Sequence, residues 1–150
     1  MRNSAPMAIV VGLQKGDEGK GKLIDWLARY YDIIARAAGG QNAGHTIING
    51  TRKFAAHALP SGILHPGKQL VLGGGMVLNP ARLLAEIAEA EEMVPGITKR
   101  LRIAGNAHIV LNAHREADRA REEERGKGKI GTTGSGIGPA YSAKMDRSGL

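Results

Sequence analysis

Seven consecutive residues, Gly16-Asp17-Glu18-Gly19-Lys20-Gly21-Lys22, carry the chemistry most legible in this chain. Their spacing matches G-x-x-x-x-G-K, a turn whose bare backbone amides and lysine converge on one phosphate. The next residue is Leu23, whereas an ordinary loop of this kind carries Ser or Thr there to ligate Mg²⁺. Asp17 is the obvious alternative metal ligand. Lys20 and Lys22 stand where a helix would begin, and cations oppose the helix dipole at that end, so an anion explains them better than solvation does. Read alone, Asp17 is equally well an N-cap of that helix.

Two further glycine-rich segments bear polar groups. Gly39-Gly40-Gln41-Asn42-Ala43-Gly44-His45-Thr46 holds an imidazole and two amide side chains. Gly131-Thr132-Thr133-Gly134-Ser135-Gly136-Ile137-Gly138-Pro139-Ala140-Tyr141 offers hydroxyls and bare amides suited to phosphate or ribose. A lone histidine is more often structural than catalytic. His57, His65, His108 and His114 sit in no such frame and read as structural or surface residues.

The elements that must position these groups alternate in type. The apolar run 7–12 reads as a buried strand. Helix is expected over 20–31, with Leu23, Ile24, Leu27 and Tyr30 or Tyr31 on one face. A second strand covers 32–37, and Asn49-Gly50 between 46–48 and 53–58 predicts a hairpin. Strands at 70–72 and 76–78 flank a triple glycine. Asn79 caps a helix opened by Pro80 and running to Met93. Short strands follow at 101–103 and 108–111. A helix over 113–125 turns alanines 113, 117 and 120 inward and shows a solvated charged face. A last short helix covers 140–147. This order predicts an α/β fold, a mostly parallel sheet with flanking helices and a P-loop-like phosphate-binding turn. Ligands in such sheets sit at the carboxyl ends of the strands, where the loops 12–21 and 39–45 fall.

Composition narrows the classes. The chain has 150 residues, 42% hydrophobic and 23% charged, as one globular domain does. No apolar run approaches the roughly 20 residues of a membrane-spanning helix, no signal peptide is evident, and cysteine is absent, so a cytoplasmic protein is the default. Net charge is +7, but the basic residues are dispersed and aromatics amount to 3%. That argues against nucleic-acid binding and for phosphorylated small molecules. Twenty-two residues are glycine, against about 7% ordinarily, and their clustering marks ligand loops.

Taken together, the 16–22 loop, Asn42-Ala43-Gly44-His45-Thr46, Pro60-Ser61-Gly62 and 131–141 resemble the adenylosuccinate synthetase family in order and spacing, from about residue 7 to residue 150. The resemblance implies GTP-dependent ligation of IMP and L-aspartate to adenylosuccinate, releasing GDP and phosphate through 6-phosphoryl-IMP. It implies Asp17 as base and metal ligand, His45 as general acid, and the Gly44 carbonyl as second protein ligand to Mg²⁺. Gly16, Asp17, Glu18, Gly19, Lys20, Gly21, Lys22, Gly44, His45 and Thr46 would hold GTP. Asp17, Glu18, Gly19, Lys20, Asn42, Ala43, Gly44, His45 and Thr133 would face IMP, and Arg147 would reach the IMP site across a homodimer interface. Lys15, Gln41 and Ser135 depart from residues common in the family. Its members are several times longer, so the expectation is an N-terminal portion lacking guanine- and aspartate-recognition regions, without full activity alone. The rival reading is a non-catalytic phosphate-binding module. A viral branch that takes deoxyguanylate tends to replace the aspartate, so Asp17 favours IMP.

Overall fold

The structure is a computed structural model that describes residues 7–14, 18–42, 44–49, 52–128 and 131–150. Its spine is β4 (Gln69–Leu78), flanked in parallel by β1 (Ile33–Gly39) on one stretch and by β5 (Leu101–Ile103) and β6 (His108–Ile109) at successive positions. An antiparallel hairpin of β2 (His45–Asn49) and β3 (Arg52–Ala56) forms a separate two-stranded sheet. The helices are α1 (Lys20–Ala28), α2 (Pro80–Met93), α3 (Ile97–Arg100), α4 (Asn112–Glu124) and α5 (Ile137–Met145). The α/β class with a mostly parallel sheet is as the sequence predicts.

One contiguous core joins these layers. Phe54, Leu59, Ile63, Leu70, Leu72, Met76 and Ile97 are fully buried, drawing on the hairpin, the connection from β3 to β4, the sheet and the helical connection between β4 and β5. A smaller cluster of Val77, Val110 and Ala140 seats α5 on the end of β4. Helix α2 forms as expected: the Asn79 side chain accepts the Arg82 amide at 3.0 Å and Pro80 occupies the first turn.

Four expectations need correction. The run 7–12 forms no strand, and Met7, Ile9 and Val11 are 70%, 74% and 69% exposed; no described strand pairs with it, and no described layer covers it. Residues 73–75 do not interrupt a strand. They run through β4 because β1 presses on it at a register shift between Arg36 and Ala38, where a Cβ on Gly75 would lie 2.5 Å from the Ala37 carbonyl oxygen. The alanines of α4 do not face a core, since α4 buries none of its residues. Helix α5 begins at Ile137 rather than 140 because Gly136, at φ 75, supplies the left-handed entry residue. The Asn49-Gly50 turn falls partly outside the described residues, although the strands either side of it pair as predicted.

Candidate functional site

The loop after β1 leaves the carboxyl edge of the sheet and meets three other segments there. Gly40 packs on the first residue of α5, where a Cβ would lie 2.4 Å from Ile137 Cδ1. The Tyr141 hydroxyl accepts the Gly39 amide at 2.7 Å and donates to the Gly75 carbonyl at 2.7 Å, so α5 is stitched to both β1 and β4. Gln41 is 2% exposed, and its Oε1 accepts the amide of Asn79, the cap of α2, at 2.7 Å. Half-buried Arg36 donates to the Gly40 carbonyl at 3.0 Å and to the His57 carbonyl, tying the loop to the exit of β3.

His45 opens β2 in this setting. Gly21, in the first turn of α1, lies against it: a Cβ on Gly21 would fall 3.3 Å from His45 Cβ and Cδ2. A bare backbone is therefore what lets the start of α1 approach the imidazole. Burial lowers the His45 pKa, with the Arg36 charge adding to the effect. The ring is thus held neutral, with one N–H to donate. Its Nε2 is buried without a hydrogen-bond partner among the described residues, the condition of a group that awaits a ligand or water.

The other expected site residues are placed as follows. Gly16, Asp17 and Ala43, with Lys15, lie outside the described residues. Lys20 is paired with Glu18, whose carboxylate also accepts the Gln14 amide at 2.9 Å, so both charges are internally engaged. Lys22 is exposed on α1, and Gly19 enters that helix at φ 74. Asn42, Gly44 and Thr46 are exposed around His45. Thr133 is exposed and donates to Ser135 Oγ at 2.8 Å. Arg147 follows α5 at φ 60, exposed, and no hydrogen bond or ion pair of its side chain occurs among the described residues. The geometry thus brings the start of α1, the 39–46 segment and the start of α5 together, while Arg147 stands apart at the surface.

For a metal, the fit rests on oxygen donors. Glu18 is occupied by Lys20, and no group of three or more His, Cys, Asp or Glu side chains converges among the described residues. Gly44 is exposed next to His45. A carboxylate, a backbone carbonyl and phosphate oxygens form the donor set Mg²⁺ takes.

Sequence reading missed several positioning groups. Glu86, 6% exposed on α2, accepts the amides of His57, Ala58 and Leu59 at 2.7, 3.1 and 3.0 Å on Oε1, and that of Ala58 again at 2.9 Å on Oε2. The clue was a carboxylate on the stripe Leu83, Glu86, Ala90 that α2 buries. Arg82 donates to Ser135 Oγ at 3.3 Å. His57 is more than a surface residue: a Cβ on Gly44 would meet its Cε1 at 2.9 Å, and with Gln41, Arg82 and Glu86 it lines a cavity of about 210 Å³. His65, paired with Asp25 at 3.2 Å, and His114, whose Nδ1 accepts the Leu111 amide at 3.1 Å, are structural as expected.

Comparison with known proteins bears on the family and the fold. The family model for adenylosuccinate synthetase matches residues 9–150. The chain is 48% identical over 148 residues to the adenylosuccinate synthetase of Anaeromyxobacter sp. (strain K), covering 97% of this chain and 34% of that protein. It is 49% identical over 142 residues to that of Phytophthora infestans, covering 95% and 26%. A fully ligated adenylosuccinate synthetase from Plasmodium falciparum superposes with a TM-score of 0.85 at 44% identity, over 93% of this chain and 32% of that one. The cyanophage S-2L succinoaminodeoxyadenylate synthetase, bound to dGMP and dATP, superposes with a TM-score of 0.68 at 29% identity, over 89% and 36%. The chain thus spans about a third of the length of the bacterial relative it matches.

Proposed function

Because this chain belongs to the adenylosuccinate synthetase family, we propose that it supplies the phosphate-binding and proton-transfer part of a cytoplasmic ligase that joins IMP and L-aspartate at the expense of GTP. The products are adenylosuccinate, GDP and phosphate, the committed step from IMP towards AMP. In this reading residues 1–150 are the N-terminal portion of the synthetase domain, and the guanine- and aspartate-recognition regions belong to sequence beyond them.

The observation that carries the reading is the convergence on His45: Gly21 of the lysine-bearing helix lies against a half-buried imidazole whose Nε2 has no partner among the described residues. Asp17 takes the N1 proton of IMP. The 6-oxygen then attacks the γ-phosphorus of GTP, and the bond to GDP breaks. The aspartate amine displaces the phosphate from C6 of 6-phosphoryl-IMP. His45 donates its N–H to the developing oxyanion and leaving phosphate. Gly16, Glu18, Gly19, Lys20, Gly21, Lys22, Gly44 and Thr46 hold GTP phosphates, with Lys20 released from Glu18 to do so. Asn42, Ala43 and Thr133 face IMP, and Arg147 does so across a homodimer. Mg²⁺, held by Asp17 and the Gly44 carbonyl, would neutralise phosphate charge. Retention of Asp17 supports IMP rather than deoxyguanylate as the acceptor.

Titration of the purified chain with IMP, dGMP and Mg²⁺–GTP, each against Asp17→Ala, tests the reading. IMP and GTP are expected to bind the wild type and dGMP to bind at least tenfold more weakly. With the remaining region of a relative added in trans, Asp17→Ala is expected to lower turnover by more than the roughly 10²–10⁴-fold of one lost general base. A wild-type chain that binds neither IMP nor GTP, or near-normal turnover of Asp17→Ala, overturns it.

A further inference from the structure

Helix α4 looks like a solvated charged helix and does something else. Asp118 and Glu122 stand one turn apart on one face. Asp118 Oδ2 accepts the Gly136 amide at 2.9 Å, and Glu122 Oε1 accepts the Gly131 amide at 2.5 Å. The two carboxylates therefore hold both ends of the loop 131–136, with Thr133 between them. Arg125 pairs with the other oxygen of Glu122 at 3.2 Å, which leaves Oε1 to the loop. At its far end the loop presses on the helix backbone, since a Cβ on Gly136 would lie 2.8 Å from the Arg115 nitrogen. From the opposite side Arg82 of α2 reaches Ser135 at 3.3 Å, and Ser135 accepts the Thr133 hydroxyl at 2.8 Å. Between helix and loop lies a cavity of about 290 Å³ lined by Arg119, Glu122, Glu123, Thr132, Thr133 and Gly134.

Exposed loops ordinarily leave their amides to water, and ordering such a stretch costs conformational entropy. Two charged acceptors directed at one six-residue loop are strong bonds that hold its two ends. We propose that Asp118 and Glu122 are positioning residues of the nucleotide site, holding the loop 131–136 so that Thr133 meets IMP. This rests on the proposed IMP role of Thr133; the carboxylate strap itself does not.

The test uses the 150-residue chain with Asp118→Ala, Glu122→Ala, the conservative pair Asp118→Asn and Glu122→Gln, and exposed Glu124→Ala as control. Amide hydrogen exchange at Gly131 and Gly136 is read beside IMP titration. Each alanine variant is expected to speed exchange at its own glycine and to weaken IMP binding about tenfold, the effect of one lost charged hydrogen bond. The conservative variants keep an acceptor oxygen and should recover much of both, while Glu124→Ala should change neither. Unchanged exchange in the alanine variants overturns the strap. Faster exchange with unaltered IMP affinity makes the strap merely structural and overturns the positioning role. If the wild type fails to bind IMP, the nucleotide reading falls with that role, and the exchange data still report the strap separately.

Discussion

At the scale of single residues, His45 shows how environment sets a role. Its pKa is lowered first by burial and then by Arg36. The unfolded chain has no such burial, so its histidine titrates near the usual value of about 6.5. Below that pH the unfolded state takes up a proton that the folded state resists, and stability falls as pH drops. Above it the two states bind the same number of protons and the effect vanishes. The urea midpoint of the wild type is therefore expected to decline between about pH 7 and pH 5.5, and His45→Gln, which cannot titrate, should decline less. Equal slopes for the two proteins would remove burial as the cause. The same lowering keeps the ring neutral at physiological pH, so its contribution to catalysis would be a directed N–H rather than a standing positive charge.

At the scale of elements, α2 is the hub. Its cap Asn79 fixes Gln41, its Arg82 reaches the loop carrying Thr133, and its Glu86 gathers three amides at the exit of β3. Glu86→Ala would leave those amides buried without an acceptor. Each such orphan costs about 1–3 kcal/mol, so a loss of roughly 3 kcal/mol or more is expected in urea unfolding. A loss below about 1 kcal/mol would mean that water replaces the carboxylate. Sequence made α2 itself legible, because a cap, a proline and apolar spacing are local signals. The hairpin was legible for the same reason, through Asn49-Gly50. What escaped was long-range: Glu86 lies 27 to 29 positions from the amides it holds, and Asp118 lies 18 from Gly136. Nor could the pattern of 73–75 reveal that β1 closes on β4 there, since a glycine cluster in a ligand loop and one under a close backbone contact read alike. The three segments expected at the site stand out as motifs; that Gly21 meets His45 and Gly40 meets Ile137 is a property of the fold.

At the scale of the whole molecule, the formal charge of +7 needs a use if nucleic acid is not the partner. The proposed ligands are polyanions, and a net positive protein gathers anions from solution faster than collision alone. In the loop Lys20 is paired with Glu18 while Lys22 is exposed, so only part of the local charge is engaged. Attraction from outside the site would come from the distributed field, and a distributed field is screened by salt. The screening length falls from about 30 Å at 0.01 M to about 8 Å at 0.15 M, less than the reach needed to steer a ligand from outside. Stopped-flow mixing of the chain with a fluorescent GTP analogue should show an association rate that drops about tenfold or more over this range, with dissociation changing far less because short contacts in the site are screened least. Neutralising dispersed lysines and arginines away from the site should flatten the dependence in proportion to the charge removed. An association rate indifferent to salt would mean that the positive charge serves something other than nucleotide capture, and the basic composition would again require a different partner.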